Sequence, residues 1–296
     1  IYEMPDFPAP DSPGFYHGTT FAIDSFIYLM NDRANFDTIK QLNTADRSVK
    51  KLNMKCIGFE AYSAFSREAV VFEGRAFTWI CDENAQEVHG IAAGAVVDDE
   101  FVWSIVPTTG SYPEWTPLRS GGYVDGQDAK YCVFTSNVNV NAYECATRLG
   151  IPSPQLEFKY QLDLKTMIWS KEELVNKEQC QELTIGTRIL FTDEEMHMFS
   201  RSPSSIHVVM DHQSRVLAVD QPKENNLRVT LFSANNAIYR ITCVPAEEKS
   251  TLVLMRYETA TNRWKYITNQ YSSGYHLWMD FDHVRLFKPD GAVVCI

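Results

Sequence analysis

Two periods compete along the first half of the chain. Phe21, Ile23, Phe26, Ile27 and Met30 fall close to helical spacing. They follow directly on Gly14-Phe15-Tyr16-His17-Gly18-Thr19-Thr20, which reads as a short strand ending at Gly18, with Thr19 or Thr20 as helix N-cap. Thr38-Ile39, Leu42, Val49 and Leu52 suggest a second helix, broken at Asn43-Thr44. From residue 69 the period falls to two. Ala69-Val70-Val71-Phe72-Glu73, Arg75–Ile80, Val88–Ala93 and Glu100–Val106 read as a meander of strands, with Asp82-Glu83-Asn84 and Asp98-Asp99-Glu100 as turns.

Residues 107–129 are rich in Gly, Pro and Ser with Tyr112, Trp115 and Tyr123 interleaved, the composition of a long functional loop. Lys130–Ser136 is a strand. Asn137–Gly150 has the pattern of a helix stopped by Gly150 and Pro152, and Leu156–Leu164 alternates as a half-buried strand. Ser170-Lys171-Glu172-Glu173 opens a short acidic helix, followed by strands at Glu182–Ile185 and Arg188–Phe191. Beyond residue 200 almost every apolar run is strand-like, at spacings of about ten residues, as in a small sandwich or barrel. No fixed internal period marks a repeat architecture. Residues 1–13, with their prolines and acids, read as an extended leader, and the start at Ile1 implies a segment upstream.

Composition narrows the partners more than the fold. A net charge of −11 opposes broad binding to a phosphate backbone and favours a small, neutral or basic partner. No apolar run approaches the roughly 18–20 residues of a membrane span. The seven cysteines form no C-x-x-C pair, which disfavours a structural zinc site, and several sit in apolar surroundings as small buried hydrophobes. No Asn-x-Ser/Thr sequon occurs, which disfavours a eukaryotic secretory route; bacterial export, delivery into a host cell and a cytoplasmic location remain open.

Three segments suggest chemistry: Tyr16-His17-Gly18-Thr19, then Tyr131-Cys132-Val133-Phe134-Thr135-Ser136, then Gln181-Glu182-Leu183-Thr184-Ile185. In that order they resemble the ADP-ribosyltransferase superfamily, in the His-Gly branch of diphtheria-toxin-like enzymes and poly-ADP-ribose polymerases. The resemblance implies NAD as substrate, a toxin- or effector-like role, and a protein acceptor. Glu182 would stabilise the oxocarbenium-like ribose that forms as the nicotinamide bond breaks. His17, Gly18 and Thr19 would hold the dinucleotide, Tyr131 or Phe134 would stack on nicotinamide, and Ser136 would brace the glutamate. Glu157, Glu194 and Glu195 compete for the catalytic place, and Gly121-Gly122-Tyr123 for the tyrosine motif.

The expected fold class is therefore α+β, a mixed or antiparallel split sheet with flanking helices. A catalytic domain would span 1–200, with a β insertion near 69–129, and a β-rich domain 201–296. The activity would be NAD-dependent ADP-ribosyl transfer or NAD hydrolysis. The alternative is a non-catalytic β-rich binding protein. His207, Asp211 and His212 resemble metal ligands only superficially, because on a strand His207 and His212 point to opposite faces. His276, Asp280, Asp282 and His283 read as a solvated strand edge, and Cys145 has no evident histidine partner.

Overall fold

Strands and tight turns account for nearly all of the described residues in the computed structural model. It describes residues 2–4, 19–30, 37–46, 48–60, 64–65, 69–81, 88–113, 119–125, 128–135, 156–174, 188–199, 207–213, 215–220, 228–234, 237–244, 250–272, 276–279, 284–287 and 293–295. Among these residues there is no α-helix, only a 3-10 turn at Thr259–Thr261. The α+β expectation with flanking helices is thus overturned. The chain divides into two compact units, residues 17–219 and residues 1–16 with 220–296. The first strand, β1 (Tyr2–Met4), belongs to the smaller unit.

The larger unit opens with β2 (Thr19–Ile23), β3 (Phe26–Met30), β4 (Thr38–Asn43) and β5 (Val49–Ile57), each antiparallel to the one before. Both helices expected here are hairpins. Phe21 and Ile23, then Tyr28 and Met30, are buried, so a period of two either side of the Asp24-Ser25 turn replaces the helical reading. Asp24 takes φ 53°, as a two-residue hairpin turn requires. Over only ten residues the two periods share most of their apolar positions, and pairing in a sheet decides between them. Ile39 then pairs with Leu52 across β4 and β5.

Next come β6 (Ala64–Phe65), β7 (Val70–Phe72), β8 (Arg75–Cys81), β9 (Val88–Val97) and β10 (Glu100–Ile105). The meander expected over 69–106 is present as strands, and it shares one sheet with β2–β5, because β10 pairs in parallel with β5. The sheet folds over a core of Phe21, Tyr28, Met30, Ile39 and Leu52 from one leaf and Ala76, Ile80, Ala92, Phe101 and Trp103 from the other. Glu73-Gly74 and Asp98-Asp99 form its tightest turns, all four residues at positive φ.

A second sheet of this unit holds β11 (Thr109–Gly110), β12 (Arg119–Asp125), β13 (Asp128–Thr135), β14 (Phe158–Asp163) and β15 (Ile168–Glu173). Ser170–Glu173, expected to open an acidic helix, lies inside β15, where Tyr160 opposite Lys171 and Phe158 opposite Glu173 hold it in the ladder. The expected helix at 137–150 and strand at 182–185 lie outside the described residues. A third sheet of this unit comprises β16 (Arg188–Phe191), β17 (Glu195–Phe199), β18 (His207–Asp211) and β19 (Val216–Asp220).

These leaves stack. One face of β12–β15 packs Tyr131, Val133, Leu162 and Trp169 against Phe77, Trp79, Ile91 and Ala93. Its other face packs Cys132 and Phe134 against Ile189, Phe191, Met196, Met198, Val208 and Met210. First strands lie beside first strands: β7 touches β2 and β12, and β12 touches β16. Gly122 allows that approach, since a Cβ there would sit 2.5 Å from Val70 Cγ2 and 2.1 Å from the Lys130 carbonyl oxygen.

In the smaller unit, β20 (Arg228–Ala234), β21 (Ala237–Val244), β22 (Ser250–Glu258) and β23 (Arg263–Ser272) form one antiparallel meander. A second sheet contains β24 (His276–Met279), β25 (Val284–Phe287) and β26 (Val293–Cys295). It is completed by β1, with Tyr2 opposite Cys295 and Met4 opposite Val293. The strands expected beyond residue 200 are therefore present.

Candidate functional site

Tyr131 and Phe134, the two alternatives for stacking on nicotinamide, are both enclosed in the sheet packing. Tyr131 and Phe134 lie on β13, each 0% exposed. Three positions apart on a strand, they face opposite sides of the sheet, and each is enclosed by a different core. The Trp79 backbone N–H donates to the Tyr131 hydroxyl at 3.0 Å, anchoring that phenol between sheets. Neither ring presents a face to a ligand. Thr19 opens β2, its backbone opposite Met30. His17, Gly18, Ser136 and Glu182 lie outside the described residues.

The competing carboxylates are separated by structure. Glu157 sits just before β14, its N–H donating to the Thr135 carbonyl at 3.0 Å. Glu194 is exposed in the β16–β17 turn, whereas Glu195 belongs to β17.

Glu195 begins a polar chain that sequence reasoning did not nominate. Its Oε2 lies 3.2 Å from His197 Nε2, and His197 Nδ1 lies 3.1 Å from His207 Nε2. Both imidazoles are buried, and Phe199 stacks on His207 with ring centroids 4.1 Å apart. The register explains the assembly: Phe199 is opposite His207, and Glu195, His197 and Phe199 recur every second residue on one face of β17. Met196 and Met198 take the other face, into the core shared with β12–β15. The signal available in the sequence was the alternation Glu-Met-His-Met-Phe. The 3.1 Å contact between His197 Nδ1 and His207 Nε2 requires one ring nitrogen to carry the proton and the other to accept it.

No protein-family model matches this chain, and no curated protein matches it. Its chemistry must be read from the residues themselves. Burial, and secondarily the neighbouring His197, hold the His207 pKa well below the usual histidine value. A lowered pKa means the unfolded chain takes up the proton first. Stability from this site is therefore complete above about pH 6.5, the ordinary histidine value, and declines as pH falls below it. Urea midpoints are expected to fall between pH 7.5 and pH 5, and to fall less in His207→Leu. Equal slopes for the two proteins would remove His207 as the cause.

His212 does turn away from His207. Its ring stacks on Tyr123 at 3.5 Å, and its Nε2 lies 3.1 Å from the Thr192 carbonyl. Among the described residues no group of three or more His, Cys, Asp or Glu side chains could hold a metal ion. Asp280, Asp282 and His283 lie outside them, as does Cys145. Burial pushes the Cys132 thiol up to about 12 and that of Cys56 to about 11, which leaves both protonated and poor nucleophiles at neutral pH. Lys159, also buried, pairs with Glu172 at 2.8 Å and donates to the His212 carbonyl at 2.6 Å. That contact ties β14 to the β18–β19 turn. Among the described residues no helix is long and apolar enough to cross a membrane.

Proposed function

We propose that this chain is a non-catalytic interaction protein that presents recognition segments from one end of its stacked sheets. The observation behind this reading is the unequal length of the connections. In the larger unit, the first and third turns of each meander are short: 24–25, 44–48, 73–74, 98–99, 126–127, 164–167, 192–194 and 212–215. The second connection and the exit are longer: 31–37 and 58–69, which includes the short strand β6; 82–87 and 106–118, which includes β11; 136–157 and 174–187; then 200–206. In an antiparallel meander the first and third turns share one end of the sheet, so the long connections leave from the other.

The parallel β5–β10 pair points the first two leaves the same way. Tyr123, near the end of β12, lies on His212 in the 212–215 turn and 5.9 Å from Phe191 at the end of β16, which brings the short-turn ends of the last two leaves together. A rigid β scaffold with long connections gathered at one end is how folded domains display binding segments. The net charge of −11 favours a neutral or basic protein surface as partner over nucleic acid.

NAD turnover separates this reading from ADP-ribosyl transfer. Purified chain incubated with NAD and a mixture of acceptor proteins is expected to release no nicotinamide above the blank. Release that His17→Ala and Glu182→Gln abolish, in variants that keep the wild-type melting temperature, would replace the interaction reading with the enzymatic one.

A further inference from the structure

The last strand of each sheet is guarded, with one exception. An unpaired edge offers a row of N–H and C=O groups to any extended chain, and proteins block it by pairing, charge or bulges. Here β5 and β10 pair with each other, and β1 covers β26. The edge of β15 carries Lys171, Glu172 and Glu173, with β11 beside its first residues. The edge of β23 carries Arg263 and Lys265, and its ladder with β22 is bulged between Leu254 and Met255. Of these devices β19 has only a terminal charge, Asp220. Its sequence is Val216-Leu217-Ala218-Val219-Asp220, it pairs only with β18 among the described strands, and Leu217 and Val219 are 53% and 38% exposed.

We infer that β19 is an association edge that pairs antiparallel with β19 of a second copy of this chain. The strand is complementary to itself about Ala218. A two-fold axis perpendicular to the sheet at that residue keeps each face continuous and sets Leu217 of one copy opposite Val219 of the other. The two exposed apolar residues of each copy then cover one another, while Val216, packed toward the core with β12–β15, keeps its inward direction. Charge favours the same direction. The edge begins after Arg215 and ends in Asp220, so antiparallel pairing brings the cationic start of each strand to the anionic end of the other. Arg215 is exposed and already oriented by Asp211, whose carboxylate also accepts the N–H groups of Gln213 and Arg215. The result is one eight-stranded sheet across two copies, independent of what the long connections bind.

Sedimentation velocity on the intact chain over a concentration series tests this. Wild type is expected to shift from monomer to dimer as concentration rises, and Leu217→Lys and Val219→Lys to remain monomeric with unchanged melting temperatures. The register has its own test. Facing α-carbons in an antiparallel pair lie about 4.5–5.5 Å apart, within disulfide range. Ala218→Cys should therefore give, under oxidised glutathione, a reducible covalent dimer well above the wild-type background from the native cysteines. A wild type that stays monomeric throughout, a dimer that survives both lysine variants, or an Ala218→Cys chain that cross-links no more than wild type would each overturn the pairing.

Discussion

Trp103→Ala is expected to cost about 3–5 kcal/mol, the range for removing a fully buried tryptophan, and urea unfolding followed by circular dichroism will read it as a lower midpoint. Trp103 is 0% exposed and sits where the two leaves of the first sheet close on each other. Its ring meets Phe21 edge-on at 5.9 Å and Phe101 at 5.3 Å, so truncation leaves a void between leaves that β-ladders on both sides prevent from collapsing. Against a typical total stability of about 5–15 kcal/mol, a loss of this size brings the larger unit close to unfolding. A midpoint within error of wild type would mean that this core does not carry the fold.

Gly94 is the other half of that arrangement. It lies directly opposite Trp103 in the β9–β10 ladder, and a Cβ there would fall 2.5 Å from Phe101 Cε1 and 2.6 Å from Trp103 Cε3. The obstacle is two packed rings rather than a flexible side chain. Gly94→Ala should therefore lose about 1–3 kcal/mol by overpacking. Losing the indole removes the Trp103 contacts of that methyl and gives the Phe101 ring room to shift away from it. Combined with Trp103→Ala, Gly94→Ala should cost less than it does alone, a coupling of about 0.5–3 kcal/mol in a double-mutant cycle. Additive losses would show that the two positions do not share one volume.

Several elements were legible from residue order alone. The meander expected over 69–106, with its Asp-rich turns, and the strand expected at Leu156–Leu164 carry period-two patterns, and the structure has strands at both. The failures share one cause. Phe21–Met30 and Ser170–Glu173 are short segments whose apolar or charged positions suit either period, and sheet pairing overrode local preference in both. The candidate site divides in the same way. That Tyr131 and Phe134 face opposite sides follows from counting along a strand, and the burial of both faces of β13 turns that geometry into an obstacle for a stacked ring. The Glu195–His197–His207 chain was visible only as alternation, because its closure needs the register of β17 against β18.

What the sequence by itself determined is the supply of strands and turns: alternating Val, Ile, Phe, Tyr and Trp, and the acidic and glycine residues that accept positive φ at Asp24, Glu73, Gly74, Asp98 and Asp99. It also determined an acidic net charge and the absence of apolar runs long enough for a helical membrane span. Only the tertiary structure decided which strands are neighbours. The parallel β5–β10 pair, the closure of β26 by β1 from the far end of the chain, and the place of β19 beside β18 alone among the described strands depend on long-range pairing. A side-chain pattern specifies which face of a strand is apolar, but not which other strand will meet its backbone hydrogen bonds.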